Sequence, residues 1–217
     1  MAVFIMLKEI TALRSQKNNP NRVNVFIDGS FSFGISRIVG AWLRVGQKIS
    51  EKEINELIEK DLNEKAFQSA LHFLSFRNRS EYEIRMNLSG KGFNEKRISE
   101  VIDHLKSLGY IDEEIFTREW VENRAASKPR GRRLLIYELK QKKVDNAKIE
   151  QALQSLPDEI TLALKAVRKI IHRYENLEQD VFNKKVTGSL IRRGFDFEVI
   201  REVRKILREE NLQKIEN

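Results

Sequence analysis

The sequence predicts a mainly α-helical protein of three tandem three-helix repeats, preceded by a small antiparallel β extension. Only 3 prolines and 10 glycines interrupt its 217 residues, which favours long helices. Near the N-terminus, Asp28-Gly29 separates two runs of alternating polarity, a pattern typical of a β-hairpin. Further on, apolar residues recur 51 residues apart, from Leu88 to Leu139 to Leu190. Such a period indicates stacked repeats, and we expect them to form an elongated array.

The β extension is predicted from the alternation on each side of one turn. Val23–Ile27 and Phe31–Ile35 each place apolar residues at every second position. Asp28-Gly29 suits a type I′ turn, because both of its central residues need positive φ. Lys17–Asn21 is a second turn segment. We therefore predict a three-stranded antiparallel sheet, or a hairpin with a short partner strand, over Ile5–Ser36, within an N-terminal segment of residues 1–49.

Only helices are expected from Arg37 onward. Ser50–Glu53 is a capping box, and the apolar residues that follow it have helical spacing. This predicts a linker helix over residues 50–63. The rest divides into three repeats, over residues 64–111, 112–157 and 158–217.

The repeats align without a gap. Besides the three leucines, four apolar columns correspond: Phe93, Val144 and Phe195; Ile98, Ile149 and Ile200; Val101, Ala152 and Val203; and Leu105, Leu156 and Leu207. The last three columns are three and four residues apart, as on one face of a helix. Asn94 and Asp145 stand where an N-cap is needed, with Asp196 close by. Each unit is thus predicted to contain three helices.

The residues needed for catalysis or metal binding are sparse. The absence of cysteine excludes disulfides, thiolate metal sites and thiol nucleophiles. His72, His104 and His172 have no metal-ligand spacing. Ser89–Gly92 is not a P-loop, because it follows a helix and lacks the leading glycine; a helix C-cap explains it better. We expect no enzyme activity, no metal and no cofactor.

The first residues contain a short apolar run, MAVFIM, with a lysine and a glutamate close behind it. The run is too short to span a membrane and lacks the basic start of a signal peptide. The sequence thus predicts a cytoplasmic protein without a membrane contact.

Positive charge is concentrated in two segments. The net charge is +8 and the isoelectric point about 9.6. Lys128–Lys143 contains seven basic residues and one acid, and Lys184–Arg208 contains eight basic residues and three acids. A solvated helical surface would explain any one of these cations. Their repetition on stacked units favours contact with a polyanion or an acidic protein face. The nearby Trp120 and Tyr137 are expected to pack in the core.

The stretch ALHFLSFRNRSEYEIRMNLSGKGF, at Ala70–Phe93, closely resembles the first repeat of RecX regulatory proteins. The Leu108–Asp112 motif LGYID and the opening of the second repeat, with Phe116, Trp120 and Lys128–Arg133, match the same family. The resemblance covers essentially the whole chain and is loosest in the third repeat. One departure is Lys143, where a glycine is common, so we expect that helix to stop less sharply.

This resemblance implies a non-catalytic modulator of the RecA recombinase. Proteins of this family bind RecA filaments on DNA and typically inhibit filament growth, strand exchange and ATP hydrolysis. We expect a monomer that binds the RecA filament and, more weakly, single- and double-stranded DNA. The candidate contacts are Arg77, Arg79, Arg85, Lys91, Lys128, Arg130, Arg132, Arg133, Lys140, Lys142, Lys143, Arg192 and Arg193. Two alternatives remain: a helix-turn-helix DNA-binding protein that acts without RecA, and a protein scaffold that does not bind DNA.

Overall fold

The computed structural model describes residues 6–174 and 177–215, with side chains up to residue 210. Ile5, where the sheet was predicted to start, lies outside the described residues. The chain divides into two compact units. The first consists of the chain up to Arg77 and of Ile84–Tyr110, and the second of Asn78–Glu83 and the chain from Ile111 onward.

The N-terminal sheet has four antiparallel strands in the order β3-β2-β1-β4. Their bounds are β1 Leu7–Gln16, β2 Asn19–Ile27, β3 Ser30–Ser36 and β4 Lys48–Ser50. The predicted turn is confirmed, since φ is 47° at Asp28 and 82° at Gly29. The expectation of helices alone after Arg37 is wrong, because β4 pairs with the start of β1. A three-residue strand is too short to produce a recognisable alternation.

Helix α1, Glu51–Leu74, packs its first turns against the sheet. Ser50 and Glu53 form the predicted capping box. Ile54 and Leu57 join Ile10, Val25 and the other buried sheet residues in one core. The helix runs unbroken past residue 63, so the division between a linker helix and a first repeat does not coincide with a helix end and stays a prediction.

A buried carboxylate also holds α1 to the sheet. Asp61, 3% exposed, accepts hydrogen bonds from both terminal nitrogens of Arg22, at 3.2 and 2.9 Å, and from the backbone nitrogen of Ser36, at 2.7 Å. The ammonium of Lys65 lies 2.9 Å from the same carboxylate. Burial alone would raise the pKa of Asp61, but these donors outweigh burial and lower it below its ordinary value.

The remaining helices follow the predicted repeat. They are α2 Glu81–Gly90, α3 Glu95–Ser107, α4 Glu113–Ser127, α5 Arg132–Gln141, α6 Asn146–Gln154, α7 Glu159–Arg168, α8 Gln179–Arg192 and α9 Phe197–Ile215, with a 3-10 turn at Ile171–Arg173 after α7. Helix α5 begins and ends 51 residues after α2, and α3, α6 and α9 begin 51 residues apart. The fold class is confirmed: three three-helix repeats follow a small antiparallel sheet.

The aligned apolar columns form the repeat cores. Leu88, Leu139 and Leu190 are each 0% exposed. All the other column residues are buried or half-buried. In the second unit they belong to two clusters, one around α4, α5 and α6 and one around α7, α8 and α9. The columns read from the sequence are thus packing positions.

The middle helix of each repeat stops in the same way. Gly92, Lys143 and Gly194 take left-handed conformations, with φ of 85°, 58° and 79°. In each case the next nitrogen bonds the carbonyl of the column leucine, as Val144 does to Leu139 at 3.2 Å. The expected weaker stop at Lys143 is wrong, because the lysine adopts the conformation that glycine has in the other repeats.

Candidate functional site

The third repeat caps the N-terminus of α5. The nitrogen of Gly131 donates to the carbonyl oxygen of Arg193, at 2.8 Å, and the nitrogen of Arg132 donates to the Glu159 carboxylate, also at 2.8 Å. A Cβ atom on Gly131 would overlap the backbone of Gly194. The basic segment before α5 is therefore fixed against the end of α8 by backbone contact.

This contact brings cations from three elements around one depression, which we call the basic cavity. Its volume is about 360 Å³. Five basic side chains line it, together with Ser127, Pro129, Leu134 and Ala166: Lys128, Arg130, Lys169, Arg192 and Arg193. All nine lining residues lie in the second unit, and none is acidic.

Four of these five cations have no carboxylate partner among the described residues. Lys128 and Arg192 are exposed and form no ion pair there. Lys169 donates to the carbonyl oxygens of Ala126, at 3.3 Å, and Ser127, at 2.7 Å, at the end of α4. Arg193 donates to the carbonyl and hydroxyl oxygens of Ser189. Within the described residues, the polar partners of Lys169 and Arg193 are thus neutral oxygens.

Arg130 differs, because it forms an ion pair with Glu138. Glu138 is the one acid of the Lys128–Lys143 segment, and its side chain is 13% exposed. The same carboxylate accepts hydrogen bonds from the indole nitrogen of Trp120, at 3.0 Å, and from Arg124, at 3.2 Å. Arg124 and Lys142 each lie 4.3 Å from the Trp120 ring centre. Glu138 therefore holds Arg124 and Arg130 close to Trp120.

Positive charge is crowded beside the cavity. Burial lowers the pKa of Arg130 from its ordinary value, and the guanidinium groups of Arg124 and Arg193 lower it further. Arginine still carries its charge at neutral pH. Arg124 and Arg193 thus add positive potential at Arg130.

Other predicted contact residues form ion pairs with carboxylates of the chain, and these ion pairs reduce the positive charge that the residues present to a partner. Four are in ion pairs: Arg85 with Glu95 at 2.6 Å, Arg132 with Glu150 at 3.8 Å, Arg133 with Asp196 at 3.2 Å, and Lys142 with Glu83 at 2.6 Å. The pair formed by Lys142 is also well shielded, since both side chains are under 20% exposed.

The remaining predicted contacts do not line the cavity. Arg77 and Lys91 belong to the first unit, where Lys91 donates to the Ser69 hydroxyl. Arg79, Lys140 and Lys143 belong to the second unit, and the Lys143 ammonium lies 6.0 Å from the Tyr82 ring centre. Of the thirteen candidates, the cavity gathers Lys128, Arg130, Arg192 and Arg193 and adds Lys169. Lys169 was missed because it follows α7, outside both basic segments.

The two aromatic predictions have different outcomes. Trp120 packs against the core of the second repeat, as expected. The expectation for Tyr137 is wrong, because it is 60% exposed. Tyr137 lies two residues from each of the buried Leu135 and Leu139, which places it on the opposite face of α5.

Metal-binding clusters and membrane-spanning helices are both absent from the described residues. In the part of the chain that the structure describes, no group of three or more His, Cys, Asp or Glu side chains could hold a metal ion. Across residues 6–174 and 177–215, no helix has the length and apolar character that crossing a membrane requires.

Comparison with known families identifies all four parts of the chain. Residues 8–50 match the regulatory protein RecX N-terminal domain. Residues 66–105, 112–153 and 158–203 match the first, second and third three-helix domains of RecX. The chain belongs to the RecX family of regulatory proteins. The four matches follow one another along the chain, so the resemblance seen in the sequence is confirmed.

Individual RecX relatives agree with this assignment. The chain is 33% identical to the regulatory protein RecX of Bacillus licheniformis over 88% of this chain and 74% of the relative. It is 28% identical to a RecX of Clostridium botulinum over 92% of this chain and 96% of that one. A crystal structure of regulatory protein RecX superposes with a TM-score of 0.69 at 26% identity, covering 92% of this chain and all of that chain.

Proposed function

We propose that this protein is a non-catalytic regulator that binds the RecA filament on DNA and inhibits RecA-dependent ATP hydrolysis, strand exchange and coprotease activity. The observation that carries the proposal is the ordered match to four RecX domains, because the relatives bear the name regulatory protein. RecA as the partner follows from the family resemblance. The protein would act in the cytoplasm as a monomer during DNA repair, recombination and the SOS response.

The charge distribution supports a partner of this kind. A RecA filament on DNA presents regularly spaced phosphates and many copies of one protein surface. The chain carries a net charge of +8, and four cations of the basic cavity have no carboxylate partner in the part of the chain that the structure describes. A polyanion releases counterions when such cations bind it, which gives a favourable and salt-dependent free energy. One bound copy that blocks filament growth would affect many RecA subunits.

The proposal is tested by measuring ATP hydrolysis by RecA on single-stranded DNA. We expect sub-stoichiometric amounts of the protein to slow phosphate release. The double variant Lys128→Glu/Arg192→Glu should relieve inhibition, because both side chains are exposed and unpaired among the described residues. The protein alone, with ATP and magnesium, should release no phosphate above buffer.

The matched control is Lys184→Glu/Lys185→Glu, which changes the charge equally on the exposed surface of α8 but outside the cavity. It should inhibit nearly as well as the parent. The proposal fails if RecA turnover is unchanged at equimolar protein. Sequence-specific binding of one duplex without any effect on RecA would instead favour the helix-turn-helix alternative.

A further inference from the structure

The basic cavity has the composition of an anion site. Four cations that have no carboxylate partner within the described part of the chain face one volume of about 360 Å³ together with Arg130: Lys128, Lys169, Arg192 and Arg193. Like charges so close to each other repel, and Leu134 and Ala166 in the wall reduce the screening between them. A bound anion would remove this repulsion.

One wall of the cavity is formed by the C-terminal end of α4, and the C-terminal end of a helix normally repels anions. Carbonyl groups at a helix C-terminus carry partial negative charge. Here the Lys169 ammonium binds the carbonyl oxygens of Ala126 and Ser127, at 3.3 and 2.7 Å. Lys169 therefore covers carbonyl groups of this wall that would oppose an anion.

The cations suit a phosphate better than a single carboxylate. Three guanidinium groups and two ammonium groups offer many donors from several directions. A backbone phosphate carries two charged non-bridging oxygens and two ester oxygens arranged tetrahedrally around phosphorus, so donors can approach it from several directions, whereas a carboxylate has two oxygens in one plane. Because Lys128 and Arg192 are exposed, the cavity is at the surface, where a strand can place one phosphate without threading its ends through the protein.

We infer that the basic cavity binds a backbone phosphate of a single-stranded nucleic acid. Lys169, which lies outside the two basic segments, is one of the residues that contact this phosphate. The inference rests on the DNA-binding part of the proposed function and does not require RecA. Phosphate binding is then concentrated in one discrete site and is not spread over a general positive surface. The phosphate is bound there by the exposed Lys128, Lys169 and Arg192 and by the half-buried Arg193.

The test is direct binding of a dye-labelled oligothymidylate, followed by fluorescence anisotropy at several salt concentrations without RecA. For Lys128→Ala/Arg192→Ala we expect roughly tenfold weaker binding at low salt. The slope of log affinity against log salt should decrease by about 0.7, because both cations contact the same phosphate. Circular dichroism should show a native helical signal for the variant.

The control is Lys184→Ala/Lys185→Ala, which removes the same charge from exposed positions outside the cavity. Its slope should stay near that of the parent. Equal losses for the two double variants would show a diffuse surface and overturn the inference. A parent that binds the oligonucleotide through the cavity but leaves RecA turnover unchanged would uphold the inference and refute the proposed regulation of RecA.

A competition experiment distinguishes a backbone phosphate of a nucleic acid from a free phosphate compound as the ligand of the cavity. Tripolyphosphate is titrated against the bound oligonucleotide at constant ionic strength. We expect displacement only at concentrations far above that of the oligonucleotide, since a strand also contacts cations beyond the cavity. Displacement at comparable concentrations, lost in the Lys128→Ala/Arg192→Ala variant, would assign the cavity to free phosphate compounds and overturn the nucleic-acid assignment.

Discussion

The backbone nitrogen of Gly131 donates a hydrogen bond to the carbonyl oxygen of Arg193 at 2.8 Å, and no side chain separates the two segments. A Cβ atom at position 131 would overlap the Gly194 carbonyl group and approach the Phe195 nitrogen at 2.7 Å. Both obstacles are backbone, which cannot rotate away as a flexible side chain does. This contact decides how the second and third repeats meet.

We expect Gly131→Ala to lower the free energy of unfolding by about 2 kcal/mol, as an overpacked interface does. Urea unfolding followed by circular dichroism measures this change. Gly90→Ala is the matched control, because no atom lies within 4 Å of its added Cβ and its φ is not positive. The control should be neutral or slightly stabilising, since alanine favours helix. Equal effects of the two substitutions would contradict the overlap.

Lys143 is predicted to be a strained position. Its φ of 58° is left-handed, a conformation that costs a side-chain-bearing residue about 1 kcal/mol. Lys143→Gly should raise the free energy of unfolding by roughly 0.5 kcal/mol, because the relief of strain is partly offset by the greater freedom of glycine in the unfolded chain. The thermal midpoint should rise by a few degrees at most.

The reciprocal substitution in the first repeat provides the control. Gly92 has a φ of 85° and open space around its added Cβ. Gly92→Lys should therefore destabilise by about 1 kcal/mol without any steric clash. Changes of the same sign for Lys143→Gly and Gly92→Lys would exclude backbone strain as the cause.

Asp61 should make the stability of the first unit depend on acid. Its pKa is lowered by Arg22, Lys65 and the Ser36 nitrogen despite burial. A carboxylate whose pKa is lower in the folded state stabilises the fold above its unfolded pKa of about 3.9, and this stability is lost as the pH falls through the folded pKa. Asp61→Asn should cost about 3 kcal/mol at pH 7, because it leaves Arg22 half-buried without its partner.

The measurement is urea unfolding of the parent and Asp61→Asn between pH 7 and pH 2. The difference between the two should shrink below about pH 4, once the parent binds its proton. Asp103→Asn serves as a control, since Asp103 is exposed on α3. A difference that is independent of pH would assign the effect to packing and not to charge.

Glu138 should stabilise the second unit while reducing its positive charge. Glu138→Gln leaves Arg124 and Arg130 without their shared carboxylate, and we expect a loss of about 2 kcal/mol in the free energy of unfolding. Oligonucleotide affinity should rise, because the variant carries one more net positive charge beside the cavity. Glu150→Gln changes the charge equally, but its 3.8 Å pair with Arg132 is exposed, so it should cost under about 0.5 kcal/mol. A weaker oligonucleotide affinity for Glu138→Gln would contradict an anion site next to Arg130.

The repeat architecture was predictable because it depends on local patterns. The leucine columns and the N-caps Asn94 and Asp145 are fixed by helical periodicity and by short-range hydrogen bonds, which the sequence displays directly. The Asp28-Gly29 turn is equally local. Strand β4 was missed because an alternation of polarity cannot be recognised over three residues. It also pairs with residues of β1 that are distant in the sequence.

The candidate site was predictable only in part. The density of cations indicated Lys128–Lys143, but a charge count does not tell which cations already have carboxylate partners. Arg133 and Lys142 are paired by Asp196 and Glu83, which are distant in sequence. Lys169 is isolated in the sequence and joins the cavity only through tertiary packing. The stop at Lys143 was misjudged because the backbone hydrogen bonds impose a conformation that residue preference alone disfavours.

The absence of a side chain at Gly131 also restricts which repeat can occupy the second position of this protein. At the 51-residue period Ser80 corresponds to Gly131, yet Ser80 caps its helix with its own hydroxyl group, whereas Gly131 depends on the next repeat. A chain in which a copy of the first repeat replaced the second would introduce a side chain where Gly194 leaves no room. The repeats share one pattern but are not interchangeable modules, because only a residue without a side chain fits at position 131 against the third repeat.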